Sequence, residues 1–337
     1  MGRRRRIAEA AAAALLAASA AAGPIESAGV FLLPDSAPEG LSGLVRTHGD
    51  DYLAVCDNGG VVWKMEIGVD RSSGAVTSCV FKSSVKLDGR KDVECAAWDA
   101  ANGHLLAGDE SDGSVCAFDP ADGSEKVRLQ IPSIYGDFRK NRSFEALAIG
   151  NSGLEMWVCN EEALRCDGPK SSRDGGTFVR LQRFEREGAS APWRADGQWA
   201  YATDSIGGEN FLGKSRCGVA SLCTTGDGRL LALEREMSVK RGILLPTFRC
   251  RIYEIGFDGA TDIALTPSLA KAGFKPVAKR RLYDLPADFA MYEGLCRGPV
   301  LDGGDESLLM VSDGDGGAVK AVCALRLKPR RKASPGF

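Results

Sequence analysis

The sequence predicts an all-β chain folded as a β-propeller of five to six blades. Three observations carry that reading. Short strand-like runs dominate the chain, Gly is over-represented, and one strand-turn-strand unit recurs at long intervals. Repeats of about 40–50 residues, each holding about four short strands, are the pattern of a propeller. A β-sandwich is the competing all-β architecture, but it needs no repeated unit.

The strand-like runs are 4–9 residues long and rich in β-branched or apolar residues. They are 52–56, 61–67, 105–108, 114–118, 155–159, 178–184, 230–233, 251–257, 307–311 and 319–327. Each is bounded by Gly, Asp, Asn or Pro. Asn-Gly or Asp-Gly steps recur, as at Asn58-Gly59, Asp112-Gly113, Asp122-Gly123 and Asp227-Gly228. Such pairs tolerate positive φ and mark tight hairpins. This accounts for a Gly content of 41 in 337, about 12% against an average of about 7%.

The recurring unit runs from a small or acidic residue, through a few apolar residues and a polar turn, to a strand that ends on a charged residue. Its copies begin at Gly43, Glu94, Glu145, Ala220 and Glu293, so the steps are 51, 51, 75 and 73 residues. The longer third step leaves room around 178–203 for a sixth blade or an insertion. Radial closure would make one domain of residues 38–327. Residues 1–22 read as a signal peptide, 23–37 as a linker and 328–337 as a basic tail.

The signal reading rests on Arg3 to Arg6, the apolar run Ala10 to Ala22, and a small-residue cleavage pattern at Ala20-x-Ala22. An Ala-rich surface helix is the alternative. Cleavage would change the net charge from −2 to −5 by removing four Arg and one Glu. The expectation is a periplasmic or extracellular protein, monomeric, with no membrane span in its mature chain. The near-neutral charge gives no support to a nucleic-acid partner.

Eleven Cys leave an odd thiol in any monomer. Most lie in apolar runs, where Cys behaves as a small hydrophobe. Cys159 with Cys166, and Cys217 with Cys223, are close enough in sequence to be bridged. With only His48 and His104, both in turn-like stretches, neither a Cys–His zinc site nor a Cys–His or Ser-His-Asp catalytic set is expected. Chemistry, if present, falls to carboxylates or a metal.

Glu94, Glu145 and Glu293 hold the same place in their repeats, and Asp57, Glu110, Glu161, Glu234 and Asp313 end the following strands. Equivalent propeller positions lie on one ring about the axis. Carboxylates gathered there must raise one another's pKa or bind cations. Hard oxygen donors suit Ca²⁺, with Glu94, Glu145, Glu234, Glu293 and Asp313 as candidate ligands. Glu94, Glu145, Glu293, Arg142 and Arg235 are the candidate catalytic set, the arginines being suited to steady an anionic group. The structural alternative is that these carboxylates accept backbone N–H bonds at blade turns.

At these residues the chain resembles the phytase-like domain of bacterial esterase-like phytase proteins. The resemblance is carried by Ser143-Phe144-Glu145-Ala146-Leu147-Ala148, by Leu233-Glu234-Arg235-Glu236 with Arg251-Ile252-Tyr253, and by Tyr292-Glu293-Gly294-Leu295 with the downstream Ser307 to Asp313 stretch. It covers about residues 38–327. It implies an exported propeller and hydrolysis of a small phosphoester or other ester. The chain departs from the pattern at Cys95 and Ala146, where Gly commonly follows the glutamate. A non-catalytic binding propeller is the second functional reading. Trp193, Trp199 and Tyr201 are the aromatics that would form its face.

Overall fold

The computed structural model describes residues 23–242, 246–287, 290–314 and 319–330. Residues 1–22, expected as a signal peptide, and residues 331–337 at the end of the basic tail lie outside these residues.

Twenty strands alternate with tight turns. Blade 1 is β2 (Leu41–His48), β3 (Asp51–Cys56), β4 (Val61–Val69) and β5 (Val76–Lys86). Blade 2 is β6 (Val93–Asp99), β7 (His104–Asp109), β8 (Ser114–Phe118) and β9 (Glu125–Arg128). Blade 3 is β10 (Phe144–Ile149), β11 (Glu155–Asn160), β12 (Phe178–Glu185) and β13 (Arg194–Ala202). Blade 4 is β14 (Arg216–Thr224), β15 (Leu230–Ser238), β16 (Thr247–Gly256) and β17 (Ala278–Pro286). Blade 5 is β18 (Tyr292–Val300), β19 (Glu306–Ser312) and β20 (Ala321–Leu327), with β1 (Ile25–Leu32) as its outer strand. The fold is a five-bladed β-propeller. The stretch 178–203 is no sixth blade; it supplies β12 and β13 of blade 3.

The segment expected as a linker closes the ring. β1 pairs antiparallel with β20, from Ile25 opposite Leu327 to Leu32 opposite Ala321. Blade 5 is therefore built from both ends of the domain, which covers an edge that would otherwise be open. The innermost strands β2, β6, β10, β14 and β18 pack each against the next, and β18 packs against β2.

The core is five seams rather than one centre. Val55 and Val62 of blade 1 meet Val93 and Leu105 of blade 2. Leu106 and Val115 meet Leu147 and Val158 across the next seam. Leu231 and Ile252 of blade 4 face Leu308 and Met310 of blade 5. A buried salt bridge reinforces the seam between blades 2 and 3: Arg186 donates to both oxygens of Asp99 at 2.7 and 2.8 Å and lies over the Trp193 ring. The Asp112-Gly113 and Asp122-Gly123 hairpins carry glycine φ of 67° and 79°, as their sequence requires.

All eleven Cys are free thiols. Cys217 and Cys223 cannot bridge: they lie on the single strand β14, six residues and roughly 20 Å apart. Cys159 is buried in β11 and Cys166 follows it on a short 3-10 turn, unbridged. Burial pushes the Cys79 thiol up to about 12 and the Cys166 thiol up to about 11. Only these two are not fully buried. Ellman's reagent is therefore expected to reach no more than two thiols slowly in the native protein and all eleven in guanidinium. Rapid native labelling of four or more would contradict the seam packing.

Candidate active site at the channel mouth

The innermost strand of every blade carries a β-bulge at the same place. Pairing slips by one residue between Leu41 and Gly43, Val93 and Cys95, Phe144 and Ala146, Val219 and Ser221, and Tyr292 and Gly294. The bulged residues are thus Ser42, Glu94, Glu145, Ala220 and Glu293. The repeat read from sequence is correct except in blade 1, where the equivalent residue is Ser42 and not Gly43. A bulge leaves its extra residue out of the ladder and re-aims it, so three glutamates are set into one ring.

A second ring follows from the same register. Cys56, Asp109, Asn160, Glu234 and Ser312 pair with the residues just before the bulges. The next residues are Asp57, Glu110, Glu161, Arg235 and Asp313. Blade 4 therefore puts an arginine where the other four place an acid, and an alanine where three others place a glutamate. Sequence spacing put Glu234 in this ring, one residue early. β15 runs on to Ser238 while its counterparts stop near the ring, which hid the true register.

Arg235 draws the glutamates together. It donates to Glu161 Oε1 at 2.8 Å and Glu145 Oε2 at 3.3 Å, and it pairs with Glu293. It is 3% exposed, so these charges meet almost without water. Burial opposes its charge, but Glu145 and Glu161 outweigh it and raise the pKa further. Arg142 approaches from the loop before β10, after Asn141 turns the chain through a left-handed φ of 53°. It pairs with Glu161 at 3.0 Å and Glu162 at 3.6 Å, and stands 4.0 Å from Glu145.

The carboxylates are tuned apart. Burial, then the neighbouring Glu110, pushes Glu94 well above the usual range. Burial and Glu161 do the same to Glu145, against the pull of Arg235. Burial and Glu161 push Glu110 up to about 7. Burial also opposes ionisation of Glu161, but Arg142, Arg216 and Arg235 overcome it and hold this carboxyl at about 2. One mouth thus holds an acid that titrates near neutrality beside one that stays ionised, the division of labour that acid–base chemistry needs.

The other sequence candidates fall as follows. Glu234 lies outside the ring gathered on Arg235. It accepts from Tyr201 Oη at 2.7 Å, Lys279 Nζ at 2.6 Å and the Asp204 N–H at 2.9 Å, within the seam between blades 3 and 4. Asp313 is buried on the second ring, and its carbonyl accepts from the Gly40 N–H. Tyr201 is fully buried, and Trp199 packs on Trp157 and Phe257. Trp193 is half-buried under Arg186. These aromatics fill seams rather than a face. Cys95 fits because Gly108 lies opposite: a Cβ at Gly108 would meet Cys95 Sγ at 2.6 Å.

Two carboxylate triads sit among the innermost strands and the loops beside them, Asp92–Glu94–Glu110 and Glu110–Glu145–Glu161. In each, one oxygen from every member lies within 4.8 Å of the others. They share Glu110. The second is engaged by Arg142 and Arg235. The first has no arginine or lysine ion pair among the described residues, and burial raises the pKa of Asp92 and Glu94. An all-oxygen donor set of this kind fits a hard cation when its acids are ionised. Sequence reasoning missed Asp92, two residues before Glu94, because the loop before β6 lies outside the repeated unit.

The phytase-like family, described as esterase-like activity of phytase, matches residues 37–316. The chain belongs to the phytase-like family. The match runs from the loop before β2 to just past β19, so it contains all five bulges and both rings of this phytase-like domain. No match to a curated protein sequence was found. Among solved structures, the phytase-like chain is similar to the hydrazine synthase of Kuenenia stuttgartiensis at 14% identity and TM-score 0.36, covering 84% of this chain and 81% of that one. It is similar to the glutaminyl cyclase of Myxococcus xanthus at 12% and 0.41, covering 89% and 96%. A third is the Malassezia sympodialis allergen Mala s 1, at 12% and 0.38, covering 87% and 82%. At these values the likenesses say nothing of activity.

Proposed function

We propose that this chain is an exported phytase-like hydrolase that cleaves phosphoester or other ester substrates at the channel mouth, with Ca²⁺ held by Asp92, Glu94 and Glu110. The observation that carries the reading is the pair of triads sharing Glu110, in a chain of the phytase-like family. A calcium ion there supplies charge neutralisation and polarisation of a substrate oxygen. Glu110, whose pKa is raised to about 7 chiefly by burial, would have to give up its proton to hold the ion, so the ion would bind best at and above neutral pH. Glu161 stays ionised and holds Arg142 in place. Arg142, about one-fifth exposed, presents the rest of its guanidinium to an incoming anion. Arg235, deeply buried, fixes Glu145 and Glu161 and is a positioning residue.

The test is release of phosphate or nitrophenol from a panel of phosphate and carboxyl esters, with calcium or with a chelator. The chelator is expected to abolish turnover, and the E94Q/E110Q double variant to lower it by about 10²–10⁴-fold. Turnover unchanged in that variant, or none on any ester with calcium present, overturns the reading.

A further inference from the structure

Buried arginines in this protein come with a carboxylate. Arg180 is bound by Asp167 at 2.6 Å, Arg186 by Asp99, Arg251 by Glu236 at 2.6 Å, and Arg235 by its glutamates. Arg216 is different. It opens β14, the innermost strand of blade 4, and its Nε is buried with no hydrogen-bond partner. Among the described residues its side chain makes no hydrogen bond and no ion pair. Burial holds this guanidinium below its ordinary pKa; Glu161 pulls it back up, Arg235 and Arg142 push it down, and Glu145 pulls it up again. Arg216 is half-buried, and Glu161 and Glu145 face its charge without forming an ion pair with it.

The surroundings define what is missing. The start of β14 lies directly on the end of β11: a Cβ at Gly218 would meet the Glu161 carbonyl oxygen at 2.6 Å. Glu161 and Glu162 are already engaged there. Arg142 takes both, and Lys170 Nζ reaches Glu162 at 3.5 Å. Arg142, Lys170 and Arg216 thus gather about Glu161, Glu162 and Glu145, and burial with Glu161 nearby raises Glu162 toward its neutral form. The site is two-sided: an acidic triad with no arginine or lysine ion pair among the described residues at Asp92–Glu94–Glu110 on blade 2, and a guanidinium with none at Arg216 on blade 4.

We propose that Arg216, with Lys170 and Arg142 beside it, forms an oxyanion subsite that takes the negatively charged group of an anionic ester. The inference rests on the reading of this mouth as a hydrolase site and adds its substrate class. Arg216 determines specificity: it selects charged over neutral esters by supplying a guanidinium beside the ring that makes no hydrogen bond or ion pair among the described residues.

The experiment is titration of the calcium-loaded protein with inorganic phosphate, and separately with acetate, by calorimetry. Wild type, R216M and R216K are compared, and thermal unfolding is measured on each. Wild type is expected to bind at least one anion, and the stronger one identifies the charged group as phosphate or carboxylate. R216M is expected to weaken that binding at least tenfold, R216K less. R216M is also expected to melt no lower than wild type, because it removes an unpaired charge. Binding without turnover on any ester would defeat the hydrolase reading alone and leave the subsite standing. Three results overturn the subsite: neither anion binds wild type, R216M binds as wild type does, or R216M melts several degrees lower. The last would mean that Arg216 serves the fold.

Discussion

Arg235→Met is expected to lower the unfolding free energy by about 3–5 kcal/mol at pH 8, read by urea denaturation. The guanidinium is the common partner of Glu145, Glu161 and Glu293. Without it, the acids lose most of their compensation in a setting almost free of water. Met keeps much of the volume, so the cost is electrostatic and not a cavity. The sign with pH follows from the acids. In the unfolded chain they ionise above about pH 4.5, whereas without Arg235 the folded state resists ionisation. The deficit of the variant is therefore small at pH 4 and grows as pH rises. E145Q/E293Q added to R235M is expected to recover part of the loss. A deficit below about 1 kcal/mol, or one independent of pH, would show that Arg235 does not neutralise the ring.

The second large effect is a pH-gated response to calcium. Glu110 has its pKa raised from 4.5 to about 7, chiefly by burial. Below pH 4.5 both states carry the proton and nothing is lost. Between 4.5 and 7 the unfolded chain ionises first, so the folded state loses stability as pH rises. The loss levels off above 7 at about 3 kcal/mol. Glu94 is shifted in the same direction. A cation on the first triad repays this cost only when the acids are ionised. Millimolar calcium is therefore expected to raise the melting temperature by about 5 °C at pH 8 and to do little at pH 5. Glu110→Gln is expected to remove the response and to raise the metal-free melting temperature at pH 8. An equal calcium shift at both pH values, or one that survives E94Q/E110Q, would place the ion elsewhere.

The channel glutamates were legible because a propeller repeats itself in sequence. Glu94, Glu145 and Glu293 follow the same apolar approach and precede the same hairpin, so spacing alone put them in register. The strand runs that stood out were the second and third strands of the blades, most of whose residues are buried. The outer strand β5 escaped notice because much of it faces solvent, with Val80 44% exposed. β1 was missed for another reason. Its pairing partner β20 lies some 300 residues away, and no local pattern distinguishes a closing strand from a leader linker.

The sequence by itself determined the architecture and the recurrence of its acidic positions. These follow from local patterning: alternation, turn residues and period. Tertiary structure alone decided which charges meet. The exchange of sign in blade 4, with Ala220 and Arg235 where other blades have acids, is invisible until register is known to the residue. One step along a strand reverses the face on which a side chain stands. That step separates Glu234, bound into a seam, from Arg235, which gathers the ring. It also left Arg216 facing Glu161 and Glu145 with no ion pair to either, a fact about three-dimensional neighbours that no spacing in the chain encodes.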